Sequence, residues 1–549
     1  MDTTRIIATV VFVASLVLLG DAWLKKDQPK GVATVQTQST EGTSSVPTIN
    51  SIGTDTEQVV REIPGSQDQQ TSSLVAIDTD LFEGAIDLKG GDIVRLVLKE
   101  HHSKEDKTKR LTLFRKEGGR TYVTQSGLVG EGLPNHTSSF VAASDRYSLT
   151  DGSNELVITL TSENQDITVV KTITFERGSY LVKVGYAIKN NKDKNIKASA
   201  YYQLLRDGES ADGDTRIQPT YTGAAVYTDE SKFTKVDFKD MDKTKVKYPS
   251  KASDGWISFI QHYFLAAWIP EQGVGREYYT KALGGGLYSM GVLLEPLDIN
   301  PGAEASSSAE LYVGPQTQKV LESIAPGLDL VVDYGWLTII ASPLFWLLTQ
   351  LHGLIGNWGF AIVFLTIIIK LVFFPLSAAG YKSMAKMRVL GPKLQSMKET
   401  YGDDRQRMQQ AMMELYKKEK INPLGGCLPI LVQIPFFIAL YWVLLASVEL
   451  RDAPFVFWIQ DLSAKDPYYV LPVLMALSMI AQSWLSPSPP DPVQAKIMKI
   501  MPLVFSIFFF FFPAGLVLYW LVNNILSIAQ QWTITRAIEG GKKPAHGKR

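Results

Sequence analysis

Apolar and polar positions alternate with a period of two through most of residues 75–315, in runs such as "DIVRLVLKE", "ELVITLTSE" and "DITVVKTITFERGSYLVKVGYAIKN". This alternation predicts strands that bury one face and wet the other, as in antiparallel sheets packed into a sandwich. Within the longest run, Arg177-Gly178-Ser179 separates two alternating stretches and predicts a hairpin. The pattern changes on both sides of this region. Residues 6–20, "IIATVVFVASLVLLG", are apolar, and Ala22, Trp23 and Leu24 extend the run to the length of a membrane span. The small residues of a cleavage site are incomplete at Leu18-Leu19-Gly20, so residues 1–24 read as an uncleaved anchor. Residues 25–74 are rich in Ser, Thr, Gln, Gly and Pro and read as a flexible tether.

Beyond residue 330 the apolar spacing becomes helical. Residues 331–353 are apolar but interrupted by Pro343, Gln350 and His352, which predicts an amphipathic helix in the membrane interface with Trp336 and Trp346 as anchors. A span is expected over 354–377. In residues 378–422, Met384, Met387, Leu390, Leu394 and Met397, then Met408, Ala411, Met412, Leu415 and Tyr416, recur at spacings of three or four. Two amphipathic helices joined at Gly402 follow from that spacing. Residues 423–536 hold four further apolar stretches, with "FFPAG" as the turn between the last two, and a basic tail covers 537–549. With the anchor, the expectation is six spans plus one large antiparallel β-sandwich over 75–330.

Charge decides the sidedness. The chain has 55 basic and 55 acidic residues, so its overall balance carries no sign of a DNA partner. Locally the balance is uneven: residues 378–422 carry ten Lys and Arg, and the tail adds Lys542, Lys543, Lys548 and Arg549. The loop at 449–467 instead sets Arg451 and Lys465 against Glu449, Asp452, Asp461 and Asp466. Basic loops stay in the cytoplasm, so both termini and the hairpin are expected there, with the acidic loop and the β-domain outside. The single cysteine, Cys427, can form no intramolecular disulfide and reads as a packed hydrophobe.

One residue does not suit its surroundings. Lys370 stands in "TIIIKLVFFP", and an ammonium at the centre of a span costs about 2.5–3.5 kcal/mol on insertion scales. Its stem can snorkel to the interface. It has company, however: Thr366 lies one turn earlier, and Gln433, Ser447, Ser478, Gln482, Asn523, Asn524, Ser527, Gln530 and Gln531 occupy the later spans. Each Asn or Gln alone suits an interhelical hydrogen bond. Together with a cation and no acid in the span cores, they favour a shared polar cavity with net positive charge, open to the cytoplasm. No paired intramembrane Asp, Ser-His set, HExxH or phosphate loop occurs, so neither catalysis, metal nor cofactor is called for. His101, His102, His136 and His262 lack metal-ligand spacing and read as surface residues.

"NPLGGCLPILVQIPFFIALYWVL" (Asn422 to Leu444), the Met-rich segment before it, "DLSAKDPYY" (Asp461 to Tyr469) and "FPAGLVLYW" (Phe512 to Trp520) resemble the YidC-type membrane protein insertases. The resemblance covers the whole chain and is most specific in its helical half. It implies a polytopic α-helical inner-membrane protein with a five-helix insertase core and a periplasmic β-domain. The implied function is insertion and folding of membrane proteins, alone or with the Sec translocon, through a hydrophilic groove and without nucleotide hydrolysis. Nascent membrane proteins, the ribosome, Sec components and lipids are the implied partners, and the β-domain is a docking surface for Sec. By the same resemblance Lys370 is the groove charge, at a position usually held by Arg. Thr366, Gln433, Tyr519, Asn523, Asn524 and Ser527 line the groove, and Ile434, Pro435, Phe437 and Phe508 form an apolar slide for substrate helices. A secondary transporter or channel for a small anion would also want an intramembrane cation, but the chain shows no internal repeat.

Overall fold

The computed structural model describes residues 73–104, 106–164, 166–210, 221–244, 247–402, 404–419, 428–485 and 492–540. The expected anchor, the tether up to residue 72, Cys427 and residues 541–549 of the tail lie outside them. The chain divides into two compact units whose main boundary falls between Asp333 and Tyr334, with Ala446–Glu449 counted in the first.

The first unit is the expected sandwich of an eleven-stranded and a nine-stranded sheet. Pairing is antiparallel throughout, except where Leu74–Asp78 runs parallel to Arg146–Ser148. The expected hairpin forms between Ile167–Glu176 and Leu181–Asn190, with Val182 opposite Phe175 and Gly178 at φ 70° in the turn. Alternation sends Ile167, Val169, Ile173 and Phe175 into the core. Trp256 and Trp268 are buried there too, and each indole N–H finds a carbonyl, on Pro326 and Gln203.

Lys171 occupies an inward position of the same strand and is 1% exposed. Its Nζ donates to the Gly90 carbonyl at 2.9 Å and lies 3.7 Å from Asp92 Oδ1, with the rings of Tyr186 and Phe140 close by. Asp92 Oδ1 also accepts from Ser126 N, and Ser126 Oγ pairs with the Tyr186 hydroxyl. Burial pushes the Asp92 carboxyl up against the pull of Lys171, and pushes the Lys171 ammonium down. His136, expected at the surface, is instead buried, with Nδ1 2.5 Å from the Tyr201 hydroxyl. Burial first, then the Lys171 cation, lowers its pKa to about 4.

The second unit is helical. Helix α1 (Thr338–Ile355) starts later than the apolar pattern over 331–353 suggests and runs on to Gly356, whose φ of 74° closes it. It buries Ala341, Leu344, Phe345 and Leu348 and exposes Ile339, Trp346 and Leu354, while the side chain of Trp336 lies outside the described set. Asn357 caps α2 (Trp358–Val372) by accepting from Phe360 N. The span expected to reach residue 377 breaks earlier. It bends by 68° between α2 and the next helix, α3 (Phe374–Val389). Pro375 explains the break: it has no N–H for the carbonyl one turn back, and its ring clashes there.

The amphipathic segment is three helices, not two: the end of α3, α4 (Gly391–Tyr401) and α5 (Arg405–Lys418). Gly391-Pro392 restarts the chain as α4, with proline where a helix's first turn tolerates it. The turn at Gly402 is as expected, at φ 49°, and Asp404 caps α5 by accepting from Arg407 N. Four more helices follow: α6 (Leu428–Ala446), α7 (Val470–Leu485), α8 (Pro492–Phe508) and α9 (Ala514–Gly540). Among the described residues, α1 alone is long and apolar enough to cross a membrane by itself, and α2 with α3 qualifies only as a bent pair.

Candidate functional site: a polar seam around Lys370

Helix α9 packs against α2, α3 and α7, and its polar face meets theirs. Lys370, in the last turn of α2, is 5% exposed and donates from Nζ to Ser527 Oγ at 2.7 Å. A cation in a helix's last turn is favoured by the backbone dipole. Ser527 donates in turn to the Asn523 carbonyl, 2.8 Å away, and lies beside Tyr381 of α3. A serine hydroxyl has one proton to give and two lone pairs. Ser527 therefore spends its proton on the Asn523 carbonyl and meets Lys370 as an acceptor.

The ammonium is less completely used. It has three N–H groups, and among the described residues Ser527 is the acceptor it reaches and no carboxylate lies within ion-pair distance. A hydrogen bond to a charged group contributes about 1.5–3 kcal/mol, which offsets part of the desolvation cost of the buried cation but leaves two donors without an acceptor among the described residues.

Two further contacts extend the seam. Gln433 Nε2 of α6 donates to Ser377 Oγ of α3 at 3.1 Å, and Asn524 Nδ2 donates to Ser478 Oγ of α7 at 2.8 Å. Gln531 reaches the Leu485 carbonyl at the far end of α7. The sequence reading of these spans missed Ser377 and Tyr381. Their signal is a spacing of four just after the bend, which puts both on one face of α3.

The other expected residues divide. Thr366 is buried one turn from Lys370, but its hydroxyl turns back to the Ile362 carbonyl on its own helix. Tyr519 is buried, and its ring lies 5.7 Å from that of Phe437, joining an expected lining residue to the expected slide. Ile434 is exposed, Pro435 stands inside α6, and Phe508 is exposed beside Phe505 on α8. Leu503, Phe505 and Ile507 are exposed as well, so α8 carries an exposed apolar face.

Comparison with known proteins covers nearly the whole chain. A family model described as the YidC periplasmic domain matches residues 74–347, and one described as the 60Kd inner membrane protein matches residues 350–542. A protein of Aromatoleum aromaticum named membrane protein insertase YidC is 53% identical over 99% of this chain and 100% of its own length. A protein of the same name from Methylobacillus flagellatus is 52% identical over the full length of both. A solved structure of an active YidC insertase with its first transmembrane domain resolved covers 84% of this chain and 92% of its own, at 18% identity and a TM-score of 0.41.

Proposed function

Because this chain belongs to the YidC family and is a membrane protein insertase of the inner membrane, we propose that it works through the polar seam around Lys370. The observation that carries the reading is the buried ammonium held by a hydroxyl, with donors left over. Water and the side chains of Ser527, Asn523, Asn524, Gln433, Ser377 and Tyr381 replace bulk hydration for a short polar segment entering from the cytoplasm. The spare N–H groups of Lys370 attract acidic residues of that segment. The membrane potential then assists anionic tails outward, by about 2.3 kcal/mol per charge per 100 mV.

Meanwhile the substrate's apolar helix moves into lipid along Ile434, Pro435 and Phe437 of α6 and Phe508 of α8. A lysine suits this role because it is a point charge with rotatable donors, where an arginine offers a fixed fork. Thr366 supports the seam by sealing its own helix rather than by lining the cavity.

The topology we attach to this reading has six spans: the anchor within 1–24, then α2, α6, α7, α8 and α9. Helix α1 (Thr338–Ile355), within and just past the segment 331–353, lies in the interface; the basic segment 378–422 and both termini lie in the cytoplasm, and the tether 25–74 and domain 75–330 lie in the periplasm. Ribosome and Sec components are partners on this reading, the β-unit being the side that docks to Sec.

A stalled nascent membrane protein, presented to full-length protein with photoreactive groups at positions 434 and 508, tests it. Crosslinks from the substrate's apolar helix at both positions support the slide. Crosslinks from Ile339 and Trp346 of α1, with none from 434 or 508, would contradict it.

A further inference from the structure

The loop between α6 and α7 is built more rigidly than a connector needs. Asp466 is 2% exposed and accepts three hydrogen bonds: from Trp458 Nε1 at 2.9 Å, Tyr468 N at 3.0 Å and Leu471 N at 2.7 Å. Asp461 ties Ser463 through both its N–H and its hydroxyl. The base of the loop is bolted to two spans. Asn357 Nδ2 donates to the Pro454 and Phe455 carbonyls, and the first turn of α9 donates from Ala514 N and Gly515 N to Ala464 O and Leu462 O. Phe455 packs on Phe360 and against Gly359, where a Cβ would lie 2.0 Å from its ring.

On this fixed base stands a rim of aromatic side chains. Phe455 and Ile459 close a turn whose tip is Phe457, 84% exposed and held at φ 54°. A bulky residue at positive φ is strained, and such strain persists only where the surroundings enforce it. The Phe457 ring stacks on Trp458, and Trp458 meets Tyr468, which is 70% exposed. Tyr469, at φ 56°, packs on Phe510, and Lys465 stands over the ring of Phe511.

Water alone is a poor resting medium for such a surface. The rim lies at the ends of the apolar helices of an inner-membrane protein, and Trp, Tyr and Phe beside a lysine are the chemistry of the membrane–water boundary, where rings sit at headgroup level and an ammonium meets phosphate. We infer that residues 455–469 form a prefolded aromatic anchor that rests in the headgroup and ester zone of the outer leaflet, with Phe457 and Tyr468 as its leading side chains. The anchor fixes the ends of α2 and α9 that the topology proposed above places outside, holding them against the bilayer. The seam and the rim share no residue, so either can fail alone.

The test uses full-length protein with Cys427→Ser and one new cysteine, Phe457→Cys or Tyr468→Cys, labelled with an environment-sensitive nitrobenzoxadiazole. Both side chains are exposed, so neither exchange opens the core. In phosphatidylethanolamine–phosphatidylglycerol vesicles, spin-labelled lipid carrying its nitroxide near the headgroup should at least halve the emission at both sites. It should quench more than a nitroxide deep in the acyl chain, and a control probe at Asp151→Cys should be unaffected. Emission quenched by aqueous iodide and not by lipid would overturn the anchor. So would blue-shifted emission that neither quencher reaches, which would mean that protein covers the rim.

Discussion

Lys171 and Lys370 are both buried lysines, and they are satisfied in different ways. Lys171 has a carboxylate, a carbonyl and two aromatic rings around it in the middle of a sandwich. Among the described residues Lys370 has one hydroxyl, on a helix packed beside its own. A buried pair with its hydrogen bonds made is a closed structural unit whose members are costly to separate. A buried cation with spare donors is an unfinished one, and the natural partner for it is an acid that arrives and leaves. The same residue type is thus structural in one unit and available for function in the other, and the difference lies in its neighbours.

The largest expected effect breaks the first of these. Lys171→Met leaves Asp92 buried without its cation and should destabilise the β-rich unit by about 3–5 kcal/mol. Chemical denaturation of the full chain followed by near-UV circular dichroism measures it, and adding Asp92→Asn should recover most of the loss. If Lys171→Met alone is neutral, the pair is not the closed unit described.

Next in size is Gly359→Ala on the helical side. The added methyl displaces Phe455, and overpacking of this kind costs about 1–3 kcal/mol. It should lower the midpoint of thermal unfolding and raise proteolysis within residues 450–469 while leaving the sandwich intact.

A smaller effect concerns acid. His136 binds its proton less readily folded, at about 4, than unfolded, near its ordinary 6.5. Between those values the unfolded chain holds more protons, so its share of stability is present above 6.5 and is lost as pH falls toward 4. Asp92, raised by burial from 3.8 to about 7, acts with the opposite sign across the whole of that window, so the comparison must be with a variant. His136→Gln should be the less acid-sensitive protein in parallel melts at pH 7 and pH 5.

Asn524→Ala should be the mildest change. An interhelical hydrogen bond in a membrane bundle averages about 0.6 kcal/mol, so loss of the Ser478 contact should shift detergent-solubilised stability only slightly.

The strands, the hairpin at Gly178 and the turn at Gly402 were legible because each follows from local periodicity and turn chemistry. So was the oddness of Lys370, an ammonium in an apolar run. Lys171 carries a comparable signal, a cation at an inward position of an alternating strand, but its partner Asp92 comes from a strand of the other sheet and only the packing of the two sheets brings them together. The histidine reading failed for the same reason: His136 is buried by strands remote in sequence. In the helical half, the early break at Phe373 depends on how the chain answers Pro375, and that bend is what turns Ser377 and Tyr381 of α3 toward α6 and α9. Hydrophobic spacing placed the helices within a few residues but could not say which polar groups would face one another.

The most direct test of the contrast between the two lysines is an insertion assay in proteoliposomes. The full-length protein is compared with Lys370→Gln on a substrate series whose translocated tail carries increasing numbers of aspartates. The expected result is a deficit that grows with tail charge, reaching about tenfold (about 1.4 kcal/mol) for the most acidic tail, with little deficit for a neutral tail and Lys370→Arg close to the parent. A deficit of the same size at every tail charge, or none at all, would contradict the claim that Lys370 is a cation kept open for an arriving acid.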